Sequence, residues 1–316
     1  MKGRLDGNAI LVPEPFGSRL HKRHLVGELG PGGLRLSFVE AAWCMLGERL
    51  DVDGVPTVGD LLARAAGQAE ADYLVYADLR ERGLVVRHAG ATLAVGPRGS
   101  ELGAAPAYTV RAFSERTPIV AADLAASVDS VLALVDDDGA VTHYRLEASE
   151  PQGGQPLGTL PPAVGTLLRD RVLIEEGSVR EAWLREGIGV PHGKGLVLSL
   201  VEAEHLRRRG VLRFPAGRTE ANPAGFELLV TVHEAVRSRG ALCKSGFKFG
   251  THFRAYRGNP DETHAEWLIE TVAPDATLAW SDLSRAIRLA HGVRKKFLLA
   301  VVGREVQFLE FAWFRP

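Results

Sequence analysis

The 316-residue sequence predicts an α+β (mixed α/β) protein made by tandem duplication of a unit of about 150 residues. Three matches, in the same order along the chain, predict it. GLRLSFVEAA at 33–42 returns as GLVLSLVEAE at 195–204, and LRERG at 79–83 returns as VRSRG at 236–240. DLAASVDSVLALV at 123–135 has its counterpart in RLAHGVRKKFLLAVV at 288–302. Between the copies lies SEPQGGQPLGTLPP at 149–162, whose Pro, Gly and polar residues read as a linker. The expected division is therefore an N-terminal repeat over 1–150, a linker over 151–163 and a C-terminal repeat over 164–316.

Within each copy the elements follow one order. A glycine-rich entry leads into a helix whose apolar face includes Leu36, Phe38 and Val39 in the first copy and Leu198, Leu200 and Val201 in the second. A second helix stops at an Arg-Gly pair, with glycine where a helix C-terminus favours it. Short alternating strands come next, then a further helix and a closing strand pair, LALVDDDGAVTHYRL at 132–146 and LLAVVGREVQFLEFAWF at 298–314. Each copy thus reads as an N-terminal α/β subdomain plus a C-terminal mixed-sheet subdomain.

The last helix of the second copy is expected to start at an N-cap on Ser281 and to run through Lys295. Its apolar face would be 283, 286, 287, 290 and 293, and its other face would carry Arg285, Arg288, Gly292 and Lys295. A solvated basic face is the plain alternative. The closing strand is apolar on both sides (Val306 and Phe308; Leu309, Phe311 and Trp313). That pattern suggests a second copy of the chain packed on it, hence a homodimer, or burial within its own repeat. Asp136, Asp137 and Asp138 form an acidic turn ending at Gly139.

Composition sets bounds. No apolar run reaches the ~18 residues of a membrane span, and no secretory leader is recognisable, so a cytoplasmic protein without membrane contact is expected. Cys44 and Cys243 are the only cysteines, which argues against a disulfide frame. Net charge is −1, but residues 281–296 hold five cations against one carboxylate. Arginine dominates the positive charge; the seven lysines lie at 2, 22, 194, 244, 248, 295 and 296.

The copies differ where chemistry is expected. KSGFKFGTHFRAYRG at 244–258 sets Tyr256 among Lys244, Lys248, Arg254 and Arg257, and His264 and Lys295 follow. In the first copy Lys295 falls on Val128 or Ser130, never on a cation. Neighbouring cations would favour phenolate at Tyr256, an imidazole can donate a proton near neutrality, and an ammonium suits a phosphorane's extra negative charge. Such a base, acid and cation are what a ribose 2′-hydroxyl needs to attack its own phosphate.

These residues, with SRAIRLAHGVRKKFLLAVV, resemble the catalytic domain of archaeal tRNA-splicing endonucleases (tRNA-intron lyases) over about 240–316. The duplicated layout resembles the two-repeat homodimeric subtype over the whole chain. The resemblance implies a nuclease-like mixed-sheet subdomain in each copy, with the first copy degenerate and structural. It implies cleavage of precursor tRNA at bulge-helix-bulge junctions to 2′,3′-cyclic phosphate and 5′-hydroxyl ends, with no metal or cofactor. Tyr256 would be the general base, His264 the general acid and Lys295 the transition-state cation. Arg288 and Trp313 would grip a flipped base, with Arg285 on the same RNA-binding helix; Trp313 departs from the arginine of some members, and a core tryptophan is its other reading. Asp136, Asp137 and Asp138 would dock on the opposite subunit.

Two rival readings stand beside this one. Asp261, Glu262, Glu266 and Glu270 could serve a metal-dependent nuclease, although their spacing matches no ligand pattern. A non-catalytic RNA-binding subunit is the other. GPRGS at 96–100 lacks the Lys-Ser/Thr of a phosphate loop, and His252 and His264 have no partner cysteines for zinc.

Overall fold

The computed structural model describes residues 2–65, 67–101, 104–213 and 225–316. It is α+β, and one element order occurs twice along the chain. In the first copy, strand β1 (Gly33–Ser37) leads into helix α1 (Phe38–Leu46), followed by helix α2 (Ala69–Glu81). Strands β2 (Val85–Ala89), β3 (Thr92–Gly96) and β4 (Tyr108–Ser114) come next. Helix α3 (Ala121–Ala125) then precedes β5 (Ser130–Val135) and β6 (Val141–Ala148). The second copy repeats this with β7 (Gly195–Ser199), α4 (Leu200–Arg208) and α5 (Phe226–Ser238). Its strands are β8 (Leu242–Ser245), β9 (Phe253–Tyr256) and β10 (Trp267–Val272), then helix α6 (Trp280–Gly292), β11 (Lys296–Val302) and β12 (Val306–Trp313).

Strand pairing is the same in both. β2–β3 and β3–β4 are antiparallel, β4–β5 parallel and β5–β6 antiparallel. Correspondingly, β8–β9 and β9–β10 are antiparallel, β10–β11 parallel and β11–β12 antiparallel. A parallel pair needs a crossover, and in each copy a helix supplies it.

The entry to each copy differs from the expectation. Leu36 and Leu198 lie on strands β1 and β7, and the helix begins only after Ser37 and Ser199. Each serine accepts a bond from the backbone N–H three residues on, and Glu40 and Glu202 reach back to the serine N–H, closing two capping boxes. Each glutamate also accepts from a glycine N–H, Gly27 and Gly189, both at 3.3 Å. The alternating pattern of GLRLS and GLVLS belongs to the strand; the serine ends it.

The compact units do not follow the copies residue for residue. Residues up to Pro118 together with Asp129–Leu146 and Trp313–Pro316 make one unit; Ile119–Val128 and Glu147–Ala312 make the other. The first has a core of Val75, Tyr76 and Leu79 from α2 against Val86, Val95, Val110 and Ala133 from the strands. In the second, Val232 and Val236 of α5 meet Cys243, Ala255, Ile269, Leu298 and Phe308. A separate cluster there joins Trp183 to Leu196, Leu198, Leu200 and Ala203.

On β12, Phe308, Leu309 and Phe311 are all buried within the protomer. Its double apolar character therefore needs no second chain, and that argument for a dimer lapses. Among the described residues, no helix is long and apolar enough to cross a membrane.

Candidate active site

Strand order alone gathers three segments at one end of a sheet. β9 runs opposite to β10, and β11 runs parallel to β10, so the end of β9 and the starts of β10 and β11 share an edge. Tyr256 is the last residue of β9, His264 and Ala265 immediately precede the ladder of β10, and Lys295 immediately precedes β11. Backbone bonds tie this edge together: Glu266 N–H donates to Ala255 O at 2.9 Å, and Lys296 N–H to Glu266 O at 2.8 Å.

Side chains close the arrangement around Ala265. Tyr256, Leu242 and Ala265 form one small buried apolar cluster, and the Lys295 ammonium donates to the Ala265 carbonyl at 2.7 Å. The residue next to His264 therefore touches the phenol's packing on one side and the ammonium on the other. His264 is exposed, and its ring makes no hydrogen bond among the described residues. It sits beyond a turn in which the Asn259 carbonyl accepts from Thr263 N–H at 2.9 Å and from the Thr263 hydroxyl. Ala265 was not singled out from the sequence; a small apolar residue beside a polar one carries no signal until the register is known.

Tyr256 differs from the expectation. Its side chain is buried, only 5 % exposed, and burial pushes the phenol above its ordinary pKa of 10; the Arg254 guanidinium, 5.7 Å from the ring centroid, works against that shift without overcoming it. Of the other cations in the stretch, two meet anions of the protein itself. Lys244 pairs with buried Glu202 at 2.8 Å and donates to the Gly189 carbonyl. Arg257 makes a two-pronged pair with Glu266 and lies over Trp267. Lys248 is exposed.

Lys295 is not on the helix. α6 ends at Gly292, and Arg294 takes a left-handed conformation with φ 56°. Lys295 N–H then bonds Ala290 O at 2.8 Å and Arg294 N–H bonds His291 O at 3.0 Å, the paired closure of a Schellman motif. The expected shared face of Arg288 and Lys295 is thereby broken, although Leu283, Ile287 and Ala290 are buried as the apolar face requires. The helix cap is Ala279 with no side-chain bond, not Ser281. Arg288 is exposed; Arg285 is exposed and pairs with Asp282 at 2.8 Å.

Trp313 is 44 % exposed and lies 5.2 Å from the Tyr144 ring, so it is not a core tryptophan. In the acidic turn, Asp136 accepts from the N–H groups of Asp138 and Ala140, and Asp137 is gripped by Arg116 through two bonds. That turn thus finds a cation in its own chain. The carboxylates of the metal reading are partly committed elsewhere: Glu266 to Arg257, and Glu270 to His252 at 3.0 Å.

Residues 226–308 match the family described as tRNA intron endonuclease, catalytic C-terminal domain, and residues 163–226 match the tRNA intron endonuclease, N-terminal domain. The chain is 32 % identical to the tRNA-splicing endonuclease of Methanosarcina mazei, covering 98 % of each chain. It is 32 % identical to that of Natronomonas pharaonis and 33 % to that of Haloferax volcanii, each over the full length of both chains. With likeness of this extent, and with the catalytic-domain match spanning all of the edge just described, the chain belongs to the family of archaeal tRNA-splicing endonucleases.

Proposed function

We propose that the protein excises introns from precursor tRNA in the cytoplasm by cutting bulge-helix-bulge junctions without a metal ion. The observation that carries this reading is that Tyr256 and the Lys295 ammonium both meet Ala265, the residue next to His264. Tyr256 takes the proton of the 2′-hydroxyl, the 2′-oxygen bonds to phosphorus, and the bond to the 5′-oxygen breaks. His264 gives that oxygen its proton, and Lys295 offsets the charge on the pentavalent phosphorus. The products are a 2′,3′-cyclic phosphate and a 5′-hydroxyl. A phenol is protonated at neutral pH in any case, and burial raises its pKa further, so the phenolate is scarce but strongly basic. The Lys295 ammonium, bound to a backbone carbonyl in the free protein, exchanges that partner for phosphate oxygen.

Arg288 and Trp313, both exposed, each contact a bulge base, with Arg285 as a phosphate contact next to Arg288. The protein works as a homodimer, Asp136 and Asp138 facing the other subunit while Asp137 stays with Arg116. The decisive experiment is cleavage of a bulge-helix-bulge RNA by purified protein in excess EDTA. Wild type cuts, a 2′-deoxy nucleotide at the junction blocks cutting, and Lys295→Ala or His264→Ala slows it by ~10²-fold or more. Cleavage that stops in EDTA and returns with a divalent ion refutes this chemistry.

A further inference from the structure

Among the described residues, the most exposed large apolar side chain is not at either end of the chain but on the turn beside the site. Phe247 is 88 % exposed. Single exposed apolar residues are common and need no explanation on that ground alone; what marks this one is its backbone and its neighbours. This one is held outward by a bonded turn. Phe247–Phe249 is one 3-10 turn: Phe249 N–H bonds Gly246 O at 2.7 Å, Gly250 N–H bonds Phe247 O at 3.1 Å, and Gly246 N–H bonds His252 O at 3.0 Å. The Ser245 hydroxyl accepts from Phe247 N–H, and the buried Thr251 hydroxyl donates to Phe253 O. Both flanking glycines are required. A Cβ on Gly246 would lie 2.7 Å from Thr251 O, and Gly250 has φ +66°.

The same turn faces the catalytic edge. Phe249 is half-buried, and the Lys295 ammonium lies 5.8 Å from its ring centroid. Lys248, between the two phenylalanines, is exposed. An aromatic side chain on a bonded turn therefore stands in solvent with an exposed ammonium beside it and the Lys295 ammonium behind its neighbour. An apolar protein partner would want a wider apolar patch and no unpaired lysine; a nucleobase with its phosphate wants a ring face and cations.

We infer that Phe247 is a stacking platform for a base of the RNA next to the cleaved phosphate, with Lys248 on that nucleotide's phosphate. This rests on the reading of the site given above and adds to it a positioning contact for the RNA. Replacing the ring leaves the fold intact, since it touches little.

The test is binding of a precursor tRNA carrying a 2′-deoxy nucleotide at the junction, so that chemistry does not intervene. Phe247→Ala weakens binding about 5- to 150-fold, the range for one base–aromatic stack. Phe247→Leu, which keeps apolar area without a ring, behaves like alanine. Phe247→Trp binds as wild type, and RNA quenches its added fluorescence. Melting temperatures stay unchanged. If wild type cleaves the all-ribose substrate and Phe247→Ala binds as wild type does, this inference fails and the parent reading stands. If Phe247→Ala instead shifts sedimentation from dimer to monomer and leucine restores it, the ring is a subunit contact and the inference also fails. If wild type neither binds nor cleaves the RNA, both readings fall.

Discussion

The phenol at Tyr256 is subject to two opposed influences that the sequence could name but not weigh. Arg254 is legible as a neighbour on the same strand face, because residues two apart on a strand share a side. The depth of burial is not legible, since it depends on Leu242 across the pairing and on Ala265 from the segment before β10. Burial wins, and the phenol is raised above 10. Arg254→Gln removes the opposing cation, so the Tyr256 ionisation, isolated by subtracting the Tyr256→Phe spectrum near 295 nm, moves to still higher pH. A downward or absent movement would show that Arg254 does not act on the phenol. Lys244 teaches the complementary lesson. Its place among few lysines marked it, but its anion is Glu202, a residue already spent on a helix cap. Lys244→Met leaves that carboxylate buried without a cation, a change that costs about 3–5 kcal/mol. Adding Glu202→Gln recovers part of the loss, because a neutral amide needs no counter-ion. Urea unfolding of the two variants measures both effects.

At the scale of elements, the closing helix and its exit decide where Lys295 stands. The buried positions of α6 were readable from a 3.6-residue period, and they are Leu283, Ile287 and Ala290. The stop was misread because the usual stop signal is glycine in the left-handed position, whereas here Gly292 is the last helical residue and Arg294 takes that conformation. The first copy also has a left-handed residue before β5, Asp129 with φ 65°, but its N–H bonds Leu146 O rather than a carbonyl of the preceding helix. Whether Val128 or Ser130 answers to Lys295, neither is a cation. A non-glycine residue in this conformation costs roughly 1 kcal/mol. Arg294→Gly should therefore raise stability by about that amount and leave Lys295 where it is, so cleavage chemistry persists while melting temperature rises. The entries to the copies show the reverse case. Ser-x-x-Glu at 37–40 and 199–202 is a capping signature that stands in the sequence. It went unread beside the stronger pull of the apolar pattern, which then carried Leu36 and Leu198 into the helix.

For the whole molecule, the recurring element order was legible because like elements need like apolar spacing, whereas the assignment of 119–128 and 313–316 to compact units depends on packing over long separations. Folding also buries three histidines, which couples stability to pH. His143 belongs to one unit, and His205 and His233 to the other, where their rings lie 5.1 Å apart edge-on. Burial lowers His143 and His205 to about 4 and His233 to about 3, from an ordinary 6.5. For His205 and His233, the cations Arg208, Arg209, Arg237 and Lys244 add to the lowering and Glu202 opposes it. Above pH 6.5 the three rings are neutral in both states and the fold is at full strength. As pH falls from 6.5 towards 4, the unfolded chain binds protons that the folded chain refuses, so stability drops by about 1.4 kcal/mol per pH unit for each such proton. Glu40 opposes this trend. Its burial raises its pKa above 4.5, so its contribution is lost as pH rises, but one carboxyl stands against three imidazoles. The carboxylates held low by ion pairs, Glu202, Glu204 and Glu266, begin to matter only below their ordinary 4.5. Between pH 7 and 5 the histidines therefore dominate, and melting temperature should fall steadily across that window. His205→Gln with His233→Gln, which fill similar space without titrating, should flatten the fall. A melting temperature level from pH 7 to 5 in the wild type would mean that these rings are hydrated, and that the packing between α4 and α5 is looser than their burial implies.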